Sequence, residues 1–170
     1  MNENVKVFAR ELFGVGVTEH RIYVAGNGGS ASTAQHFASD LMKLGFDVLC
    51  LCDNVARITA IVNDDGWDKL YTEQMRHFHA GDALVLFSVH GCEATKTTGG
   101  STNLYEAAKL CRERKGELFV FSGNNGGHLA AFFKKNGCFL TLGSSDCDVV
   151  EGVHVVQSHA VCAALKEMLR

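Results

Sequence analysis

A glycine-rich segment, Gly26-Asn27-Gly28-Gly29-Ser30-Ala31, constrains the fold of this chain more than any other feature of its sequence. It follows the short apolar run 21–25, which is typical of a buried parallel strand, and it opens an amphipathic stretch that reaches Leu41. A strand, a glycine turn and a helix N-terminus form an anion site, because the backbone approaches a ligand closely and the first helical N–H groups lack partners. The alternative is a tight turn in which Ser30 caps the helix. Three glycines, an asparagine and a serine within six residues favour phosphate binding.

The rest of the chain alternates apolar runs with helical patterns. After 21–25, strands are predicted at 48–52, 83–88, 118–121 and 138–142. Helices are predicted at 3–14, 54–62, 67–79, 102–114, 129–135 and 148–169, with a turn at 63–66. This order predicts an α/β fold with a doubly wound, five-stranded parallel sheet flanked by helices. Ligands of such sheets bind beyond the carboxyl ends of the strands, where the glycine loop, Ser88 and His90 lie.

Length and charge limit the classes of function. At 170 residues we expect one domain, 1–170, with a short N-terminal helical segment at 1–19. The net charge of −3 gives no electrostatic footprint for nucleic acid or an anionic membrane. No apolar run is long enough to span a membrane, the start lacks the pattern of a signal peptide, and the seven cysteines show no C-x2-C spacing. We therefore expect a cytoplasmic protein that binds neither nucleic acid nor membrane.

Several segments in one order carry a family resemblance. After 26–30 come the segment 34–41, the segment 62–66, Gly81-Asp82 before a strand that ends in Ser88, and finally Glu151, His154 and His159. From about residue 20 onward, the chain resembles the phosphoheptose isomerase branch of the sugar isomerase (SIS) family. The resemblance implies an aldose–ketose isomerase that converts a phosphorylated sugar through an enediol, in particular sedoheptulose 7-phosphate to D-glycero-D-manno-heptose 7-phosphate. It also implies a homo-oligomer, either a homodimer or a homotetramer.

The resemblance implies a phosphosugar site built from several loops. After the third strand, the family has a compact serine- and threonine-rich loop, whereas this chain has Ser88-Val89-His90-Gly91, an insertion at 92–100, and then Ser101. His90 either contacts the phosphate or is a solvated loop residue. The insertion is predicted to be a lid. The predicted binding residues are Asn27, Gly28, Gly29, Ser30, Asp64, Ser88, His90, Ser101 and Asp148; turn or N-cap roles are the alternatives for the two aspartates.

The resemblance also implies a metal site. His36 and Asp40 are spaced i,i+4 and so share one helix face, while Glu151 and His159 lie eight residues apart on the terminal helix. In the family these four positions bind zinc in some members, and the acid and last histidine, here Asp40 and His159, are the catalytic pair. Two histidines and two carboxylates form a donor set that a divalent metal, zinc in particular, accepts. This chain has Asp40 where the family has Glu, and Glu151 where it has Gln.

Two other functions stay open. One is a non-catalytic phosphosugar-binding or protein-interaction module, since one SIS relative is a partner of a bacterial replication initiator. The other is a dinucleotide-binding enzyme, since Gly26, Gly28 and Ala31 fit the pattern G-x-G-x-x-G/A, with Asp53 placed to bind a ribose.

The terminal helix adds an independent indication of self-association. Its predicted span, 148–169, carries apolar residues on most of its faces. A helix of this kind must be buried on several sides, and a chain of this length offers limited cover. The sequence therefore predicts at least a dimer.

Overall fold

The computed structural model describes residues 2–92 and 100–170. The strands in these two ranges are β1 (Ile22–Gly26), β2 (Val48–Cys50), β3 (Ala83–Ser88), β4 (Glu117–Ser122) and β5 (Gly137–Thr141). The α-helices are α1 (Glu3–Gly16), α2 (Gly29–Lys43), α3 (Val55–Asp64), α4 (Thr102–Glu113), α5 (Gly127–Phe133) and α6 (Cys147–Met168). Short 3₁₀ turns occur at Trp67–Lys69, Thr72–Met75, Asn124–Gly126 and Lys134–Asn136.

The five strands form one parallel sheet in the order β2-β1-β3-β4-β5. The predicted doubly wound α/β fold is thereby confirmed. The chain first builds outward from β1 to β2 and then crosses to β3, which places the topological switch point between β1 and β3. Because the strands are parallel and Ser88 pairs in register with Ser122, the loops that follow β1, β3 and β4 meet at one edge of the sheet.

Aromatic side chains join the sheet to the helices that carry the candidate site. Phe87 of β3 stacks on Phe121 of β4 with ring centroids 4.4 Å apart. Phe37 of α2 meets both rings edge-on, and Phe8 of α1 packs against Phe121 at 4.8 Å. α6 in turn packs on α1 and α2. This buried layer fixes α2 and α6 side by side above the same sheet.

Several local predictions differ from the structure, three of them for a clear physical reason. The helix predicted at 67–79 is replaced by two 3₁₀ turns, because Tyr71 and Gln74 bond to distant backbone carbonyls and fix a different path. The turn predicted at 63–66 begins later, since α3 continues to Asp64. The break predicted at Gly14 is absent, because the buried stripe of α1 continues to Val15 and carries the helix to Gly16.

The lid was predicted at residues 92–100. All of it except its two end residues, 92 and 100, lies outside the described ranges. Within the described ranges, the structure contains no helix of the length and apolarity needed to cross a bilayer.

Candidate active site

The glycine loop adopts a geometry that depends on its glycines. Gly28 is the N-cap of α2 with φ 57° and ψ −129°, a conformation that strongly favours glycine. A side chain at position 26 would meet the backbone oxygen of Ser30 at 2.5 Å, so the first turn of α2 lies directly against the end of β1. No side chain caps α2, and Ser30 lies inside the first turn rather than at the N-cap. The first N–H groups of this turn therefore have no side-chain partner, which leaves them available to an anion.

Asn27 is held by an amide network. Its Nδ2 donates to Asn103 Oδ1 at 2.9 Å and to Ser101 Oγ at 3.3 Å, while Asn103 Nδ2 donates back to Asn27 Oδ1 at 3.0 Å. Tyr71 donates from its hydroxyl to Asn27 Oδ1 and to Gly26 O. Asn27 thus ties the glycine loop to the start of α4. Sequence reasoning missed Tyr71 and Asn103, since each lies more than 40 residues from its partner along the chain.

A cavity of about 170 Å³ opens where the loops after β1 and β3 meet the start of α6. It brings together six of the predicted residues: Asn27, Ser30, Ser88, His90, Ser101 and Glu151. The remaining lining residues are Phe87, Val89, Cys92, Gly100, Leu104 and Cys147. Three serine hydroxyls beside a helix N-terminus form a set that suits a phosphate group.

Ser101 has an unusual backbone for a serine. It precedes α4 in the left-handed conformation, with φ 57° and ψ 34°, and its side chain does not cap the helix. Its hydroxyl instead accepts a hydrogen bond from Asn27 Nδ2. Strained conformations of this kind cluster at functional sites, which fits the position of Ser101 on the cavity wall.

The two predicted aspartates are not part of the cavity wall. Asp64 is exposed near the end of α3 and accepts a hydrogen bond from its neighbour Asn63. Asp148 is exposed in the first turn of α6, where its N–H donates to the Asp146 carboxylate. Asp146, which the sequence had not singled out, is the N-cap of α6. The sugar-binding roles of Asp64 and Asp148 stay predictions.

A second group of side chains joins α2 to α6. His36 Nε2 lies 3.0 Å from His159 Nε2 and 3.2 Å from Asp40 Oδ2, and His159 Nε2 lies 4.0 Å from the same oxygen. The other oxygen of Asp40 accepts from Lys43 at 3.1 Å. The imidazoles are about half exposed, at 55% and 54%, and Asp40 is 22% exposed. Three predicted residues from two helices therefore converge at one exposed point.

The spacing of these atoms fits a metal ion. A tetrahedral zinc ion bound at about 2.0–2.1 Å holds two of its ligand atoms about 3.3 Å apart. One ligand atom from each of His36, Asp40 and His159 lies within 4.8 Å of the other two. Burial, with a smaller effect of the Asp40 charge, raises the pKa of the Cys162 thiol to about 12. Two imidazoles and a carboxylate, with room for a further ligand, are a donor set that zinc accepts.

Glu151 lies outside this three-residue cluster. Its carboxylate packs so closely against Gly29 that a side chain at position 29 would collide with it, and it lines the cavity. Eight residues of helix separate Glu151 from His159 by about 12 Å along the axis, which explains why the two face different points of α2. Its predicted role as a fourth metal ligand stays a prediction. His154, one turn further along, is fully buried against Phe87 and Phe121.

Comparison with known proteins agrees with this geometry. Over 160 residues the chain is 31% identical to a phosphoheptose isomerase of Neisseria gonorrhoeae, and the match covers 90% of this chain and 77% of that protein. The chain belongs to the phosphoheptose isomerase family. No protein-family model matches it.

Solved structures of the phosphoheptose isomerase family share the fold. The structure of the enzyme from Neisseria gonorrhoeae superposes with a TM-score of 0.87 at 29% identity, covering 97% of this chain and 86% of that one. A phosphoheptose isomerase from Francisella tularensis superposes with a TM-score of 0.82 at 22% identity, covering 95% and 85% of the two chains. Family membership weighs against the dinucleotide interpretation that rested on Asp53.

Proposed function

We propose that this protein is an aldose–ketose isomerase that converts sedoheptulose 7-phosphate to D-glycero-D-manno-heptose 7-phosphate. The observation that carries the proposal is the convergence of His36, Asp40 and His159 on the seam between α2 and α6, in a chain of the phosphoheptose isomerase family. A histidine beside a carboxylate, here His159 and Asp40, supplies the acid and base that an isomerisation needs.

The phosphate group is bound in the cavity at the start of α2. Ser30, Ser88 and Ser101 present hydroxyls there, and the first turn of α2 presents its N–H groups. His90 replaces a hydroxyl of the family loop and supplies an imidazole donor to the phosphate oxygens. The binding energy of this remote group positions the reacting end of the sugar.

The seam between α2 and α6 leads from the cavity to the catalytic cluster. Gly29 lies against Glu151 and His36 against His159, so the two helices run side by side in the same direction. Seven residues return to the same face of a helix and advance about 10 Å along it. An extended seven-carbon sugar has a comparable length, so its phosphate and its first two carbons reach the two sites together.

Proton transfer between C1 and C2 is assigned to Asp40 and His159. The Asp40 carboxylate takes the proton from carbon, and His159 exchanges a proton with the sugar oxygens as the enediol forms and collapses. Asp40 Oδ2 faces both imidazoles, which orients the carboxylate. The roles of the pair reverse in the opposite direction of the reaction.

A divalent metal, zinc in particular, fits the same cluster. His36, Asp40 and His159 would hold it, and when bound it would supply Lewis-acid polarisation of the substrate carbonyl. Asp40 and His159 would act as base and acid only while they are not bound to the metal. His36 has no proton-transfer role in this account; it orients Asp40 through its contact at 3.2 Å.

The proposed enzyme is a homodimer or homotetramer in the cytoplasm. The cluster is half exposed in one chain, whereas isomerases exclude water from their intermediates. A second copy of the chain that covers the α2–α6 seam would complete the site. The exposed apolar residues of α3 and α6, among them Val55 and Val156, support this arrangement.

The direct test is the reaction itself. We expect the purified protein, with added zinc, to form the aldose phosphate from sedoheptulose 7-phosphate in D₂O and to incorporate solvent deuterium at C1 or C2, as followed by NMR. Absence of turnover and exchange with every heptose or pentose phosphate, with and without zinc, would favour the non-catalytic binding module instead.

A further inference from the structure

Cys147 lies on the cavity wall beside His90. Its Sγ is 3.6 Å from His90 Nε2, within hydrogen-bond distance for sulfur, and both side chains line the cavity. Cys147 is also the first residue of α6, so its thiol lies at the N-terminus of that helix. A thiol, a neighbouring imidazole that can take its proton and a helix N-terminus are the components of a reactive cysteine.

The cavity itself independently indicates a polar occupant. Ser30 is only 4% exposed and is one of the residues that line the cavity. A polar side chain in the wall of a cavity suits a ligand that can form hydrogen bonds with it. The reactive pair therefore borders a space built to receive a ligand.

We infer that Cys147 is a covalent modification site for small disulfides, with His90 as the proton acceptor. The thiol passes its proton to His90 Nε2, and the sulfur attacks one sulfur of the disulfide. A new S–S bond forms as the old one breaks, and the departing thiolate takes the proton from His90. One thiol and one disulfide thus give a mixed disulfide and one free thiol, with no other reactant. This inference goes beyond the proposed isomerase and does not depend on it.

The other cysteines explain why the modification is selective. Cys147 is the exposed one among the seven free cysteines, and the others are buried or partly buried. Burial raises the pKa of Cys92 and Cys111 to about 12 and that of Cys138 to about 11, which keeps these thiols protonated and slow. Cys50 differs, because a hydrogen bond from Cys52 lowers its pKa, but it is only 5% exposed.

Acidic neighbours favour a positively charged disulfide. Asp146 and Asp148 flank Cys147 in sequence, and Glu151 lies one turn further along α6 and lines the same cavity. Cystamine, a small disulfide with two ammonium groups, is therefore a suitable probe. A group attached to Cys147 occupies the wall of the cavity and leaves less room for any other ligand.

The test is labelling of the native, full-length protein with cystamine, followed by intact mass measurement and peptide mapping. We expect a single adduct at Cys147 that forms at least about tenfold faster than at any other cysteine and is removed by dithiothreitol. In denaturant all seven cysteines should react. Cys147→Ser should give no rapid adduct, Cys162→Ser should keep it, and His90→Asn should slow its formation.

Mapping of the unmodified sequence decides the question even if a variant fails to fold. A first adduct at any other cysteine, or no native adduct while the denatured chain reacts, would overturn the site. An unchanged labelling rate in a folded His90→Asn would overturn the role of His90. A protein that lacks isomerase activity but labels at Cys147 would contradict the proposed function and leave this inference standing.

Discussion

At the scale of single residues, the cavity proposed to bind the phosphate carries an unexpected charge. Glu151 places a carboxylate in its wall, where the resemblance gives a neutral glutamine, and its described lining residues include no lysine or arginine. A phosphate dianion in this cavity is therefore repelled by Glu151 and attracted by the N-terminus of α2 and by His90. In the proposed isomerase, the affinity for the substrate phosphate depends on the balance between this repulsion and this attraction.

Removal of this charge should strengthen phosphate binding. We expect Glu151→Gln to tighten binding of sedoheptulose 7-phosphate by about fivefold, equivalent to about 1 kcal/mol, as measured by calorimetry. Glu167→Gln is the matched control, since Glu167 is an exposed acid on the same helix outside the cavity wall. Weaker binding by Glu151→Gln would mean that Glu151 holds the sugar, for example through its hydroxyls.

His154 makes stability depend on pH. Its two ring nitrogens have no hydrogen-bond partner among the described residues, and burial against the aromatic layer lowers its pKa to about 4. Between about pH 6.5 and 4 the unfolded chain therefore binds a proton that the folded chain does not. This contribution to stability is present above about pH 6.5 and is lost as the pH falls towards 4, by about 3 kcal/mol.

Chemical denaturation at several pH values tests this effect. His154→Leu should flatten the fall in the free energy of unfolding between about pH 6.5 and 4, whereas His77→Leu, at an exposed position, should leave it unchanged. An equally steep fall in His154→Leu would assign the pH dependence to other groups.

At the scale of elements, the glycine loop depends on hydrogen bonds from distant parts of the chain. Tyr71, between two 3₁₀ turns, is 2% exposed and donates to Gly26 O and Asn27 Oδ1. Burial raises the pKa of its phenol, so that the group stays protonated and donates. The loop after β1 is thus held in place by Tyr71.

Loss of this hydroxyl should loosen the loop. Tyr71→Phe removes the hydroxyl that donates a hydrogen bond to Gly26 O and Asn27 Oδ1. We expect this change to destabilise the fold by about 1–3 kcal/mol and to weaken phosphate binding as well. Tyr105→Phe is the control, because Tyr105 packs through its ring on Phe132 and Phe133. Urea denaturation and calorimetry measure the two effects; a Tyr71→Phe protein as stable as the parent would contradict this account of the loop.

Elements with a strong local signal were predictable from the sequence. The continuous apolar run of β3 gave its bounds without error, and the glycine segment placed the start of α2. The i,i+4 spacing of His36 and Asp40 put both on one face of α2, as the structure has them. In these cases each pattern lies within one element, and the periodicity and turn residues of that element determine its secondary structure and the side that each residue faces.

Other features depend on contacts between distant segments and have no local signal. The stretch 67–79 has helical periodicity, but the tertiary hydrogen bonds of Tyr71 and Gln74 determine its path. Asn103 meets Asn27 across 76 residues, and Cys147 meets His90 across 57. Glu151 lies apart from the histidine cluster because α6 runs alongside α2 in the same direction. The spacing of residues within α6 does not determine that direction.

At the scale of the whole molecule, two helices leave apolar residues in solvent. α3 contains no buried residue although it is mostly apolar, and its Val55 is 71% exposed. Val149 and Val156 of α6 are 50% and 67% exposed. Apolar surfaces of this kind mark protein interfaces.

Self-association should depend on these residues. We expect light scattering at micromolar concentration to give a dimer or tetramer, and Val156→Glu to shift it towards the monomer with loss of activity, because the exposed cluster of His36, Asp40 and His159 loses its cover. Val17→Glu, at an exposed apolar residue after α1, is the control. A monomeric parent protein with full activity would contradict the oligomeric site.

In the proposed isomerase, the residues of the α2–α6 seam transfer the proton and the cavity binds the phosphate. The most direct measurement is deuterium exchange into C1 or C2 of sedoheptulose 7-phosphate by Asp40→Asn and His159→Ala, with calorimetry of phosphosugar binding on the same samples and His77→Ala as control. We predict that both variants lose exchange, by at least about a hundredfold, while their affinity for the phosphosugar stays nearly that of the parent. Exchange at the parent rate in either variant would contradict the assignment.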